Sequence, residues 1–338
     1  MQALVCRKPG ELTVEDRPKP TPAEGEVLVR VRRVGICGTD YHIFEGNQPF
    51  LSYPRVMGHE LSVDVVEAPG GSGLRAGQTC VVNPYLSCGT CVACRQGKPN
   101  CCTRIAVLGV HRDGGMTEFL SLPAKNLIAA DDLNVDECAM VDFLAIGAHA
   151  VRRSRLVSGQ RVLVIGAGPI GLGTALFASL SGAAVTLLDR DTRRLSEGSK
   201  LIKLANALTA DDSLNDAIAR VTDGEAFDVV FDATGSRASI ERGFDFVAHG
   251  GAYVLVSIVQ GTITFTDADF HRRETTLYAS RNATREDFDR VMQAIRDGHV
   301  PSSQWITHRT TLGGAVQDLP VWAREKSGLT KAIIEIGA

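Results

Sequence analysis

The sequence predicts an α/β protein in two parts. A β-rich domain is made from both ends of the chain, and a doubly wound parallel-sheet domain is inserted between them. Three observations carry this. Apolar alternation marks strands early in the chain, as in Val27–Val34 (VLVRVRRV). From Arg161 onward, buried-strand runs alternate with helical stretches, which is the pattern of a parallel sheet. The early β-rich segment has no closing partner of its own, and the tail ends in strand-like KAIIEIG, so the last ~50 residues should rejoin it. The expected division is 1–148 with 283–338, and 149–282.

Composition bounds the function. The chain has 338 residues, 44% hydrophobic and 22% charged, enough for two domains with their own cores. A net charge of -3 gives no broad basic surface, which argues against nucleic acid or an anionic membrane as main partner. The start, MQALVCRKPG, lacks the pattern of an export signal. Nine cysteines then point to a reducing cytoplasm, and to metal or free thiols over disulfides. No apolar run approaches the ~20 residues that span a bilayer.

Residues 1–36 read as β structure, with PKPTPAEGE as a turn-rich connector. The strand run ends in GICGTDYHIFEGNQPF, where Cys37 precedes Thr39, Asp40 and His42, and YPRVMGHE then brings His59 and Glu60 together. Taken singly, Cys37 reads as a core residue, His59 as a satisfied histidine and Glu60 as a surface charge. Together they are ligands for a borderline metal, and three from separated segments leave room for water or substrate. Cys88, Cys91, Cys94 and Cys102 follow at spacings of three, three and eight. Free thiols or disulfides are the alternatives, but four thiols this close fit a structural zinc lobe, with Gly89, Gly97 and Pro99 supplying its turns. Cys101 is a bystander. AVLGVHRDGGMTEFLSLP reads as short strands around a Gly-Gly turn, beside which His111 and Arg112 are either solvated or facing a ligand. Asp136–Arg153 reads as a helix, with Asp142 in its apolar interior. An unpaired carboxylate there is costly, so Asp142 either caps or pairs locally, or faces the metal.

The second domain opens with RVLVIGAGPIGLGTALFASLSGAAVTLLDRD. The strand Arg161–Ile165 leads into Gly166, Gly168 and Gly171, an alanine-rich helix follows, and the next strand, Ala184–Leu188, ends at Asp189. This is the context a dinucleotide site requires: a tight turn, close backbone approach to the pyrophosphate, and helix-on-strand packing. Asp189 suits a ribose 2′-hydroxyl and so NAD. Arg190, Arg193 and Arg194 could instead receive the 2′-phosphate of NADP. Phe227–Gly235, Gly250–Val259 and Thr275–Arg281 continue the sheet. Thr284 is expected to cap a helix to Asp297, with Asp287 at its third position and Gly298 as its stop.

Together GICGTDYH, GHE, C-G-x-C-x-x-C with N-x-C, and VLVIGAGPIGLG resemble the zinc-dependent medium-chain dehydrogenases/reductases over essentially the full length. That resemblance implies a GroES-like catalytic domain, an inserted Rossmann domain, two zincs per chain, NAD, a small-molecule substrate, and a homo-oligomer (dimer or tetramer). It makes Cys37, His59 and the residue at the family's Glu-Pro position, here Asp142, catalytic-zinc ligands, with Glu60 a ligand or close neighbour and Asp40 the group orienting His59. Thr39 would hold the substrate hydroxyl and His42 pass its proton to solvent. Gly166, Gly168, Pro169, Ile170, Gly171, Asp189 and Arg194 would bind the cofactor. Where the family has Glu-Pro, this chain has Asp142-Phe143, one methylene shorter; either the helix moves inward or Asp142 binds through water. EGNQPFLSYPRVMGHE, CRQGKPNCC, AVLGVHRDGG, GAHAVRR and FHRRETTLYASRNATREDF are similar to bacterial dehydrogenases that oxidise L-galactonate to D-tagaturonate. For such a substrate's carboxylate, Arg281 and Asn282 are candidates, with His111 a further contact. A polyol (sorbitol or L-iditol) or L-threonine dehydrogenase is the alternative. A nucleotide sensor would not need Thr39 and His42 beside a metal, and a zinc-knuckle nucleic-acid binder would want aromatics that Cys88–Cys102 lacks.

Overall fold

The computed structural model describes residues 1–48, 51–325 and 328–337; Pro49 and Phe50, within one of the resemblance stretches, lie outside the described residues. The N-terminal part is a set of antiparallel strands: β1 (Gln2–Lys8), β2 (Glu11–Asp16), β3 (Glu26–Ile36), β4 (Arg55–Val56), β5 (Glu60–Glu67), β6 (Thr79–Val82), β7 (Tyr85–Leu86), β8 (Ala106–Val107), β9 (Phe119–Pro123) and β10 (Leu127–Ala129). β3 is the centre. Its Val27, Val29, Val31 and Val34 are fully buried, and it pairs with β5 and β9. The helix Gly38–Glu45 starts as soon as β3 ends, with Cys37 as N-cap, Asp40 closing a capping box, and left-handed Gly46 ending it. A longer helix, Val135–Ser154, covers the expected Asp136–Arg153 and carries Asp142 in its middle.

Six parallel strands follow: β11 (Arg161–Ile165), β12 (Ala184–Asp189), β13 (Asn206–Thr209), β14 (Phe227–Asp232), β15 (Val247–Leu255) and β16 (Thr276–Ala279). Their order is β13-β12-β11-β14-β15-β16, so the winding reverses between β11 and β14. Ligands of such sheets bind at that reversal, beyond the carboxyl ends of the strands. The helix Arg285–Arg296 begins at Thr284, whose N–H and hydroxyl both bond Asp287 at 2.8 Å, and Gly298 beyond it is left-handed.

The tail adds β17 (Ile306–Thr311) and β18 (Lys331–Glu335). β18 lies antiparallel to β3, with Ile334 opposite Val34, so the tail closes the first sheet in the order β10-β6-β5-β3-β18-β17. The chain forms two compact units, Met1–Asp142 with Thr284–Ala338, and Phe143–Ala283. The change of unit falls inside one helix, where no composition shift marks it. Among the described residues, no helix is long and apolar enough to cross a membrane.

Candidate active site

Fold and capping bring three predicted ligands together. Cys37 ends β3 and caps the next helix, while His59 and Glu60 open β5, the strand paired with β3 through Gly35 and Glu60. One donor atom from each of Cys37, His59 and Glu60 lies within 4.8 Å of the others. Asp40, wholly buried, accepts from Cys37 N–H (2.8 Å) and Gly58 N–H (3.1 Å). It therefore pins the two donor segments together, through the N–H of the residue before His59, and its charge also acts on the imidazole. Thr39 and His42 sit three residues apart on the short helix, hence on one face. The Cys37 thiol reaches the Thr39 hydroxyl at 3.8 Å, and His42 is exposed, 3.7 Å from Glu45.

Asp142 is 1% exposed and stands next to this trio without belonging to it. Burial pushes its carboxyl up to about 7, against the lowering influence of His59. Burial also disfavours a charged His59, but its contact with Cys37, then Asp40 and Asp142, lift it to about 10. His59 Nδ1, Glu60 Oε1 and both Asp142 oxygens are buried with no hydrogen bond of regular geometry. His59 Nδ1 and Glu60 Oε1, buried without partners beside the Cys37 sulfur, are costly unless a cation satisfies them, and this donor set suits zinc.

Two residues here escaped the sequence reading. Lys331 of β18, 1% exposed, forms an ion pair with Glu60 and donates to Ile36 C=O at 3.1 Å. A Cβ on Gly35 would come within 2.2 Å of Glu60 Oε2 and 3.1 Å of Lys331 Cε, so only glycine leaves room for the pair. The signal was present, a lysine opening a strand whose next three residues are apolar. Tyr85 of β7 is the second: it is 7% exposed, with its hydroxyl beside Asp142.

Cys88, Cys91, Cys94 and Cys102 also place their sulfurs within 4.8 Å of one another. Thr90 N–H, then Arg104, hold Cys88 down to about 5; Cys94 N–H, then Thr103, hold Cys91 down to about 6. Cys94 is pushed up to about 11 by desolvation and by the sulfur of Cys91, 3.5 Å away. Two ready thiolates and a third blocked by its neighbours are what a tetrahedral zinc resolves. Cys101 is exposed and outside the group.

In the other unit, the loop after β11 has left-handed Gly166, and a Cβ on Gly171 would meet Gly166 O at 1.8 Å. Gly168 caps the helix Pro169–Leu180, which Pro169 and Ile170 begin, and a Cβ there meets nothing within 4 Å. The backbone thus offers an open helix N-terminus, suited to a pyrophosphate. Asp189 ends β12; its carboxylate accepts from Ala167 N–H (2.6 Å) and Asp191 N–H (2.9 Å). Arg194 Nε lies 3.8 Å from Asp191, and Arg193 pairs with Glu197. Arg281 and Asn282 follow β16 in this unit, Asn282 with a left-handed φ of 53°. His111 lies in the first unit, exposed, its Nδ1 accepting from Val107 N–H at 3.2 Å; that bond serves the loop.

Known proteins match this architecture. Residues 23–132 fit the alcohol dehydrogenase GroES-like domain, and residues 169–297 the zinc-binding dehydrogenase domain. L-galactonate-5-dehydrogenase of Escherichia coli (strain K12) is 40% identical over 310 residues, 91% of each chain. The chain belongs to the zinc-binding alcohol dehydrogenase family. Like that family it is an oxidoreductase acting on CH–OH groups, with zinc and NAD(P) as its cofactors. Among solved structures, this dehydrogenase superposes on the short chain alcohol dehydrogenase rspB of E. coli CFT073, complexed with NADH, at TM-score 0.93 with 28% identity over 99% of both chains. A zinc-binding dehydrogenase of Sinorhizobium meliloti 1021 bound to NADP gives TM-score 0.90 and 25% identity, over 99% of this chain and 98% of that one.

Proposed function

We propose that this dehydrogenase oxidises a secondary alcohol of a sugar acid with NAD, and that L-galactonate, converted to D-tagaturonate, is the substrate. The observation that carries the reading is the Cys37–His59–Glu60 cluster beside Thr39 and His42, in a chain 40% identical to a protein named L-galactonate-5-dehydrogenase. Cys37, His59 and Glu60 would hold the catalytic zinc, and Cys88, Cys91, Cys94 and Cys102 the structural one. When bound, the catalytic zinc supplies a Lewis acid that makes the alcohol easier to deprotonate, and NAD accepts the hydride. The chain does the rest. Thr39 accepts the hydroxyl proton and passes its own to His42, whose exposed ring releases it to solvent. Asp40 keeps the donor segments in register.

Asp189 favours NAD, since its carboxylate suits two ribose hydroxyls and repels a 2′-phosphate. Arg281 and Asn282 are the proposed carboxylate contacts, and His111 a further polar one. A polyol or L-threonine dehydrogenase is the alternative within the family. A homo-oligomer belongs to the same reading: β16 is an edge strand whose Leu277 is 37% exposed, and sedimentation would show the state. The deciding experiment is NAD reduction on sugar acids and neutral polyols, L-galactonate included, with Arg281→Ala beside the wild type. Arg281→Ala should raise KM for the acid far more than for a polyol. Preference for sorbitol or threonine over every sugar acid would refute the substrate, and equal effects of Arg281→Ala on acid and polyol would refute the clamp.

A further inference from the structure

Asp142 is a carboxylate whose neutral hydrogen-bonding neighbour is the Tyr85 hydroxyl. It is fully buried, it stands outside the donor trio, and neither oxygen has a hydrogen bond of regular geometry. Of the groups that face it, His59 belongs to the trio and Lys331 is taken by Glu60 and Ile36 C=O. Tyr85 alone is a neutral donor. Its hydroxyl faces Asp142 and lies near Cys37 and Glu60 as well.

The phenol cannot wander. β7 is paired with β8, Tyr85 N–H donates to Asn83 Oδ1 at 3.0 Å, and Asn126 Nδ2 donates to Asn83 C=O (2.8 Å) and Tyr85 C=O (3.4 Å). The ring meets Phe288 edge-on, centroids 6.4 Å apart. Three residues further on, Cys88 begins the sulfur lobe, which fixes the far end of the strand. A rigid donor is thus aimed at a short acid in a place with few other partners.

We propose that Tyr85 is a positioning residue that holds Asp142 beside the metal donors rather than among them, so that a coordination position stays open to the substrate hydroxyl. A catalytic zinc needs such a position, and groups that orient ligands alter metal binding or activity by roughly 10–100-fold when removed. Without the phenol, the carboxylate turns to the strongest remaining cation. The inference rests on Cys37, His59 and Glu60 being the metal donors.

The test uses the full chain as Tyr85→Phe, Asp142→Asn and the double variant, with Co2+ in the catalytic site as spectroscopic probe and zinc release to a chelator as a second readout. Tyr85→Phe should change the shape of the Co2+ visible absorption, slow zinc release about tenfold and lower kcat more than it alters KM. In the Asp142→Asn background it should change neither spectrum nor release rate. An unchanged spectrum in Tyr85→Phe, or the same change in both backgrounds, would overturn the proposal. A wild-type protein that binds metal only at the four cysteines would instead fail the donor assignment itself.

Discussion

Lys331→Met tests how Glu60 is used. Both partners of the ion pair are sealed from water, Glu60 at 0% and Lys331 at 1% exposure. Methionine keeps most of the apolar stem and removes the charge. Without metal, the variant leaves a buried carboxylate unpaired, a cost of about 3–5 kcal/mol. It also loses the bond to Ile36 C=O, about 1 kcal/mol in either state. If Glu60 is a metal donor, bound zinc replaces the lost cation and most of the first penalty disappears. Each 1.4 kcal/mol is about tenfold in an equilibrium constant, so a differential of about 3 kcal/mol makes zinc bind roughly a hundredfold more tightly. Competition against a chromogenic chelator, with the cysteine lobe saturated, reads that number directly. Chemical denaturation with and without zinc should show the variant weakened chiefly in the metal-free state. Unchanged or weaker zinc affinity would refute the reasoning, because Glu60 would then be no ligand and Lys331 simply its structural partner.

Further outcomes follow from the catalytic residues, the cofactor aspartate and the cysteine lobe. Thr39→Val keeps shape but removes the hydroxyl, and should lower kcat by about 10²–10⁴ with zinc content unchanged; His42→Ala should fall less and be restored by imidazole buffer, read in steady-state assays. Asp189→Ser should raise KM for NAD by roughly 10–100-fold, the worth of one or two charge-assisted hydrogen bonds, while KM for NADP falls. The depressed thiols of Cys88 and Cys91 favour the bound form at neutral pH: metal held at pH 7 should be lost only as pH falls below their lowered range, measured by metal analysis after desalting. The sign is that of groups with lowered values, which favour the bound form above those values and lose it as protons return.

What the sequence revealed was mostly local. The Thr284–Asp287 capping box, the glycine turn before Pro169 and the four cysteines each lie within a short stretch, so spacing alone carries their geometry. The trio was harder, because β3 and β5 must pair to bring Cys37 to Glu60. Lys331 and Tyr85 were missed because their meaning lies in contacts far along the chain. Lys331 reads as one charge at the head of a strand until β18 lies against β3. Tyr85 reads as another apolar strand residue until the helix bearing Asp142 packs near it. Asp142 itself stood out as a buried acid, but nothing local said which neighbour would hold it.

The closing of β3 by β18 has a consequence for how the protein comes together. Lys331 and Ile36 are 295 residues apart in sequence, and the unit Phe143–Ala283 lies between them. That intervening unit has all six strands of its sheet in one continuous stretch, so it can acquire its contacts without waiting for either flank. The flanks meet only after a long loop has been closed, a step whose entropy is offset late and whose rate is slow. During refolding, cofactor-binding competence should therefore precede the Glu60–Lys331 pair, and Glu60 should gain its cationic partner only in that late step.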